Sequence, residues 1–221
     1  MLRDRIVKLS SCVDNGGEGN ENVTHLLEKL VSLCPERVFP IVPFVSSFPI
    51  FSKEECEEIV RYSERNLEFC KQMNAKREVN TSQFDLLSAY LMPGVETNYV
   101  YNRMREMVVI ANNALWNFEL MDFAEPIKIH KYSVGNSTCA HTDIGSGATN
   151  FRKITAVVQL SDDCEYDGGE LIIENSDVPC SCCRRQGSVI LFPSYLLHKV
   201  EVITRGTRYS MVVFAHGRPF R

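Results

Sequence analysis

No apolar run in this 221-residue chain approaches the ~20 residues needed to cross a bilayer, so a membrane-spanning helix is not expected. An excess of positive charge is missing too. Lys and Arg total 24 against 28 Asp and Glu, a net charge of -4. That balance argues against nucleic acid as a partner, because phosphate recognition draws on clustered cations. The opening residues, Met1 to Arg5, lead into no long apolar stretch, so no secretory leader is expected and the chain reads as cytoplasmic. Internal repeats and low-complexity tracts are also absent.

Cysteine is plentiful, but a disulfide framework is not expected. The nine residues (Cys12, Cys34, Cys56, Cys70, Cys139, Cys164, Cys180, Cys182 and Cys183) are odd in number and irregularly spaced. They read as reduced thiols. The tight group Cys180, Cys182 and Cys183 has no second Cys/His pair nearby at finger-like spacing, so it reads as a loop with incidental thiols rather than a four-ligand zinc site. With 44% hydrophobic and 24% charged residues, the chain has the composition of one globular domain with a buried core.

Helices come first along the chain. Residues 12–22 are polar and glycine-containing and read as flexible. A helix fits 22–33, with Asn22 as its cap and His25 on its surface. Residues 38–48 are extended because their prolines exclude a helix interior. Ser52 with Glu55 three residues on forms a capping box. It opens a helix to about Phe69 with Cys56, Ile59, Val60, Ser63 and Leu67 inward. A third helix fits 95–117, where Val100, Met104, Met107, Val108, Ala111 and Leu115 recur at helical spacing and read as core.

From Pro126 the pattern changes. "PIKIHKYSV", "KITAVVQLS", "GELIIEN", "GSVILFP", "HKVEVIT" and "RYSMVVFAH" are short β-rich runs separated by turn residues. They predict a β-sandwich or barrel. Ile154, Ala156, Val158 and Leu160 share one face. Gly168-Gly169 reads as a hairpin turn rather than a phosphate loop. The fold class is therefore α+β, helices first and strands second, in one domain.

Within the strand region, "CAHTDIGSG" (139–147) places His141 and Asp143 two residues apart. Residues i and i+2 of a strand share a face, and His198 can reach them from a neighbouring strand. Two imidazoles and one carboxylate make the facial triad of non-haem Fe(II) oxygenases, with positions left open for ligands. A dicarboxylate co-substrate chelating that metal needs a fixed cation at its far end. Arg208, one strand beyond His198, suits this through its planar fork, and Ser210 shares its facing. His130 fits no ligand position and reads as a satisfied sheet histidine. His216, after the last strand, reads as structural or solvent-facing. Arg152 and Lys153 begin a strand near the proposed metal and either bind an anionic substrate group or lie in solvent.

The ordered series "HKYSVGNSTCAHTD" (130–143), "YDGGELIIE" (166–174) and "GSVILFPSYLLHKVEVITRGTRYS" (187–210) resembles the Fe(II)- and 2-oxoglutarate-dependent dioxygenases, in particular the prolyl 4-hydroxylase-like and PKHD-type hydroxylase branch. The resemblance covers residues 124–217. It implies a double-stranded β-helix, or jelly roll, over 96–221 with its leading helix, supported by a helical and extended region over 1–95 that packs against it. Carried over by position, His141, Asp143 and His198 are the iron ligands, Arg208 holds the distal carboxylate of 2-oxoglutarate, and Tyr132 and Ser210 add hydrogen bonds to it. Arg152 is a substrate candidate.

The activity so implied is O2-dependent hydroxylation of an unactivated C–H bond of an amino acid, peptide residue or small metabolite, releasing succinate and CO2. Ascorbate is the implied reductant. The presence of Asp143 favours hydroxylation over halogenation. The other reading is a jelly roll that senses or binds iron and 2-oxoglutarate without turnover. Thr138 stands where relatives carry an aromatic residue, and "DIGSGATNFRK" (143–153) is a candidate lid. The chain stops at Arg221, so the extra C-terminal helical segment of some PKHD-type relatives is not expected.

Overall fold

In a computed structural model of the chain, described here for residues 44–45, 49–75, 87–173 and 184–220, eleven strands and two α-helices are assigned. The expected helix over 22–33, His25, the segment 12–22 and the Cys180, Cys182 and Cys183 group lie outside the described residues.

The first described helix, α1 (Lys53–Ala75), begins where the capping box predicts. The Glu55 amide donates to Ser52 Oγ at 3.2 Å, and the Ser52 amide donates to Glu55 Oε2 at 2.8 Å. Two orphan N–H groups of the first turn are thereby satisfied. Glu55 also takes Arg103 of the second helix at 2.6 Å, so the cap ties both helices together. Ser52→Ala is expected to cost about 1 kcal/mol of stability, read as a lower urea midpoint at unchanged slope.

Helix α2 (Asn98–Ala111) continues as a π-helical turn through Asn112–Trp116, close to the expected 95–117. Buried Asn112 closes it. Its side-chain amide donates to the Phe118 carbonyl and accepts from the Phe118 amide, at 2.9 and 2.8 Å. Asn117 then takes a left-handed conformation (φ 55°) that asparagine tolerates.

The strands are β1 (Phe44–Val45), β2 (Leu87–Leu91), β3 (Ile127–Tyr132), β4 (Thr138–His141), β5 (Arg152–Gln159), β6 (Tyr166–Gly168), β7 (Leu171–Ile173), β8 (Val189–Pro193), β9 (His198–Val200), β10 (Ile203–Gly206) and β11 (Arg208–His216). They form a six-stranded antiparallel sheet in the order β1-β8-β5-β11-β3-β2, a three-stranded sheet β4-β9-β7 and a pair β10-β6. This is the α+β sandwich that the strand pattern predicts, in the jelly-roll form that the resemblance implies, with helices against the large sheet.

Two details depart from the helices-then-strands order. β1 and β2 precede the main strand region, and both are edge strands of the large sheet. The Gly168-Gly169 turn is also not a hairpin. It passes the chain from β6, which pairs with β10, to β7, which pairs with β9. Both glycines have positive φ, 77° and 69°.

Two apolar layers sandwich the large sheet. Ile154, Ala156, Val158 and Leu160 share a face, as read from sequence, and pack with Met211 and Val213 under Cys56, Ile59, Met104 and Val108 of the helices. The opposite face of β5 is buried as well. There Val157 packs with Ile190, Phe192, Leu171 and Val200 between the large and small sheets. Each such buried side chain contributes about 1.5–3 kcal/mol. A cavity remains between the sheets, and polar residues of β3, β5 and β11 line it.

Candidate metal centre

Strands β4 and β9 pair so that His141 and His198 are directly opposite each other. Their ring centroids are 4.3 Å apart. Each ring is oriented by its own chain. Nδ1 of His141 lies 2.9 Å from the Cys139 carbonyl, and Nδ1 of His198 lies 2.9 Å from the Leu196 carbonyl. A carbonyl only accepts, so Nδ1 carries the proton in both rings and the lone pair is left on Nε2. This is the tautomer a metal-ligating histidine needs.

Asp143 reaches the same point by a different route. It lies just past the end of β4, so strand alternation alone does not hold it. Its amide donates to the Ser194 carbonyl at 2.9 Å, and its Oδ2 accepts from Thr155 Oγ1 at 2.7 Å. The carboxylate then stands 3.6 Å from His141 Nε2 and 3.4 Å from His198 Nε2. One donor atom from each of the three residues lies within 4.8 Å of the others. Two bare imidazole nitrogens and a carboxylate converging on one point fit a divalent iron.

The electrostatics suit a cation. Burial alone would raise the Asp143 pKa, but the interactions with His141, His198 and the Thr155 hydroxyl outweigh it and hold the carboxyl below its usual range. Burial lowers the pKa of His198, favouring the neutral form a metal requires. The neighbouring Asp143 carboxylate raises that of His141, against the opposing effect of burial.

A cavity of about 190 Å³ extends from these three residues between the sheets. Arg208, Ser210 and Tyr132 line it, so the structure brings together every residue expected at the metal and co-substrate. Arg208 is 1% exposed. Its Nε and Nη2 both donate to Gln159 Oε1, at 3.2 and 2.9 Å, whereas Nη1 has no partner among the described residues. A buried guanidinium with an uncommitted donor is suited to an incoming carboxylate. Gly169 makes room for it, since a Cβ there would fall 3.1 Å from Arg208 Cδ. Tyr132 pairs with Arg208 across the β3–β11 ladder, and its hydroxyl lies 3.2 Å from Thr138 Oγ1. Thr138 thus orients a phenol of the cavity.

Arg152 also lines the cavity, but its fork is closed. Nε and Nη2 each donate to Glu125 at 2.6 Å, and Nη1 donates to the Asp143 carbonyl at 3.1 Å. Its guanidinium carbon lies 3.7 Å from the Phe214 ring centroid. His216, buried, completes the group. Its Nδ1 accepts from the Ala124 amide, so Nε2–H donates to Glu125 Oε1 at 3.1 Å. His130 finds Ser88 Oγ at 2.9 Å and is satisfied in the sheet, although it also lines the cavity. Burial beside Lys128 and Arg208 pushes its pKa down to about 4. The segment after Asp143 carries a short 3-10 helix (Gly147–Phe151).

Glu125 was not singled out from sequence. Its partners are 27 and 91 residues away, so no local motif marks it. The one signal is indirect: a charged residue heading the apolar β5 needs a buried counter-charge. Burial would raise the Glu125 pKa, but the hydrogen bonds from His216 and Arg152 outweigh it and hold the carboxyl far below its ordinary 4.5. A depressed carboxyl contributes stability above its unfolded pKa and loses it as pH falls toward the folded value. Stability is therefore expected to decline below about pH 4.5, and less steeply in Glu125→Gln. Urea unfolding at pH 7 and pH 4 for both proteins checks this.

Residues 127–216 match the 2OG-Fe(II) oxygenase superfamily. Over 95 residues the chain is 40% identical to a PKHD-type hydroxylase of Prochlorococcus marinus, covering 41% of this chain and 43% of that protein. Another PKHD-type hydroxylase, of Gloeothece citriformis, is 38% identical over 94 residues, covering 39% and 43%. The chain thus matches less than half the length of these curated relatives. Among solved structures, a viral collagen prolyl hydroxylase from Paramecium Bursaria Chlorella virus-1 superposes with a TM-score of 0.58 at 14% identity, over 80% of this chain and 96% of that one. A Pseudomonas putida prolyl-4-hydroxylase gives a TM-score of 0.58 at 17% identity, over 80% and 92%. At those identities the likeness establishes the fold, while the sequence match covers the strands that build the site. The match to the 2OG-Fe(II) oxygenase superfamily therefore spans strands β3 to β11, which build the site.

Proposed function

We propose that the chain is an Fe(II)- and 2-oxoglutarate-dependent dioxygenase that hydroxylates an unactivated C–H bond of an amino acid, peptide residue or small metabolite, with release of succinate and CO2. One observation carries this reading. His141 Nε2, His198 Nε2 and the Asp143 carboxylate converge in a cavity that also holds a buried arginine with an uncommitted donor. A metal triad without a carboxylate anchor fits many metalloproteins, but the two together fit a metal that is chelated by a dicarboxylate.

In this reading, His141, Asp143 and His198 hold iron, and the bound metal with its keto-acid co-substrate supplies the O2 chemistry. The protein's share is positioning. Cys139 and Leu196 carbonyls keep the Nε2 atoms bare. Thr155, Ser194 and Arg152 fix Asp143 through its carboxylate, amide and carbonyl. Gln159 aims the guanidinium of Arg208, whose Nη1 takes the distal carboxylate of 2-oxoglutarate. Tyr132 and Ser210 add hydroxyl donors beside it. Val157, Leu171, Val200 and Phe214 line the rest and keep water away from the reacting centre. Arg152 acts as a positioning residue behind Asp143, because its donors are committed to Glu125 and Asp143.

The names of the PKHD-type relatives support hydroxylation as the reaction. Ascorbate, in this reading, returns the iron to Fe(II). A reducing, cytoplasmic setting is part of this reading, on the odd number and irregular spacing of the nine cysteines. Among the described residues, no helix is long and apolar enough to cross a membrane. Succinate release from 2-oxoglutarate, measured against panels of free amino acids and proline-containing peptides, tests the proposal. Substrate-stimulated succinate that vanishes in Asp143→Ala is expected. Tight iron and 2-oxoglutarate binding with no succinate from any panel would favour a sensor on the same jelly roll.

A further inference from the structure

A second recess, of about 420 Å³, shares no lining residue with the metal-site cavity. Its walls are Asn117, Phe118 and Glu119 after the π-helical turn, Lys153 on β5, and Arg218, Pro219 and Phe220 beyond β11. Lys153 is the unusual member. It is 3% exposed, and its Nζ has no hydrogen-bond partner among the described residues. The ammonium lies 3.3 Å from the centroid of the Phe220 ring. That cation–π contact offsets part of the cost of burying the charge but supplies no acceptor for its three donors. Burial also holds the Lys153 pKa below the ordinary lysine value.

The rest of the wall defines what fits. Arg218 is paired with Glu119 at 3.7 Å, so those two charges offset each other. Lys153 is then the uncompensated charge of the wall, a single positive one. With the Glu119–Arg218 pair neutral overall, a monoanion balances Lys153, whereas a dianion would leave one negative charge in excess. Phe118 and Phe220 stand edge to face with centroids 5.8 Å apart, and Phe220 is 47% exposed. These rings offer apolar surface beside the ammonium, and Phe220 is the side chain that covers it.

We propose that this recess is a binding site for a small monocarboxylate with an apolar or aromatic body. The carboxylate accepts from Lys153 Nζ, and the body lies against Phe118 and Phe220. The site is separate from the metal centre and does not depend on the oxygenase reading.

The test is an NMR titration of the full chain with benzoate, following the Lys153 ε-methylene and the Phe220 ring signals. Acetate and inorganic phosphate serve as comparison ligands. Saturable shifts at both residues are expected, with benzoate binding tighter than acetate or phosphate. Lys153→Met keeps the length and apolar volume of the side chain and should weaken benzoate by about tenfold or more, the usual effect of removing a charged hydrogen-bond partner. Arg208→Met should leave these shifts intact, which separates the recess from carboxylate binding in the cavity. No saturable change at Lys153 in the unaltered protein would overturn the proposal, whatever the variants do. Equal affinity in a folded Lys153→Met would also overturn it, and phosphate binding tighter than benzoate would overturn the monocarboxylate class.

Discussion

Fe(II) binding under anaerobic conditions is expected to weaken by more than about 100-fold in His198→Ala, because replacing even the outer partners of metal ligands costs ~10–100-fold. The reasoning rests on geometry. His198 is the buried histidine of the triad, its Nδ1 proton is committed to Leu196, and its Nε2 faces both Asp143 and the His141 ring. Two donors remain after the change, and three protein ligands are the minimum of the facial arrangement. The side chain also packs against Phe192, with centroids 4.8 Å apart, so some stability is lost too. His198→Gln retains more of the packing and should bind iron as poorly as the alanine variant. Anaerobic equilibrium dialysis with metal analysis, alongside circular dichroism, separates lost ligation from lost fold. Iron binding by folded His198→Ala at wild-type affinity would remove His198 from the metal site.

The 2-oxoglutarate concentration needed for half-saturation should rise by about 100-fold or more in Arg208→Ala, while iron binding without co-substrate stays within a few-fold of wild type. Losing one partner of a buried charge pair typically costs 2–5 kcal/mol, or roughly 30-fold to several thousand-fold in affinity. Three features of Arg208 suit a carboxylate: it is buried, it is aimed by Gln159, and its Nη1 lacks a protein partner among the described residues. Arg208→Lys keeps a charge but loses the fork held by Gln159, so an intermediate affinity is expected. Co-substrate titration of the iron-loaded proteins reads all three. Equal 2-oxoglutarate affinity in wild type and folded Arg208→Ala would show that the distal carboxylate is held elsewhere.

The parts of this site differ in how far local sequence reveals them. The large-sheet strands were legible because β5, β8 and β11 are continuous β-rich runs bounded by turn residues. Strand β4 was placed only through the His141-x-Asp143 spacing, because "TCAH" alternates nothing and pairs with β9 through His141 and His198. Edge strand β2 was missed, and β1 was read only as part of the extended segment 38–48; each forms through a single neighbour, β3 or β8. Both faces of β5 are buried, so alternation located the strand without saying which face meets the helices.

The triad and Arg208 were legible because metal and carboxylate chemistry restrict which residues serve, and because the ordered series resembles a known family. The layer behind them was not. Thr155 and Ser194 are ordinary polar residues in sequence, and only the fold brings them to Asp143. Arg152 illustrates the limit most clearly. Its position near the His141–Asp143–His198 cluster was read from sequence, but its fork is closed by Glu125, which nothing local predicts. The Gly168-Gly169 turn was correctly placed but assigned to a hairpin, because which strands it joins is a property of the sheet order.

The central claim is that one cavity holds iron on His141, Asp143 and His198 and a keto acid against Arg208. The most direct measurement is the visible absorption of the protein with Fe(II) and 2-oxoglutarate under argon. A metal-to-ligand charge-transfer band is predicted that requires both additions, saturates near one iron per chain, and is lost when succinate replaces the keto acid. A folded protein that shows no such band with both present would contradict the account.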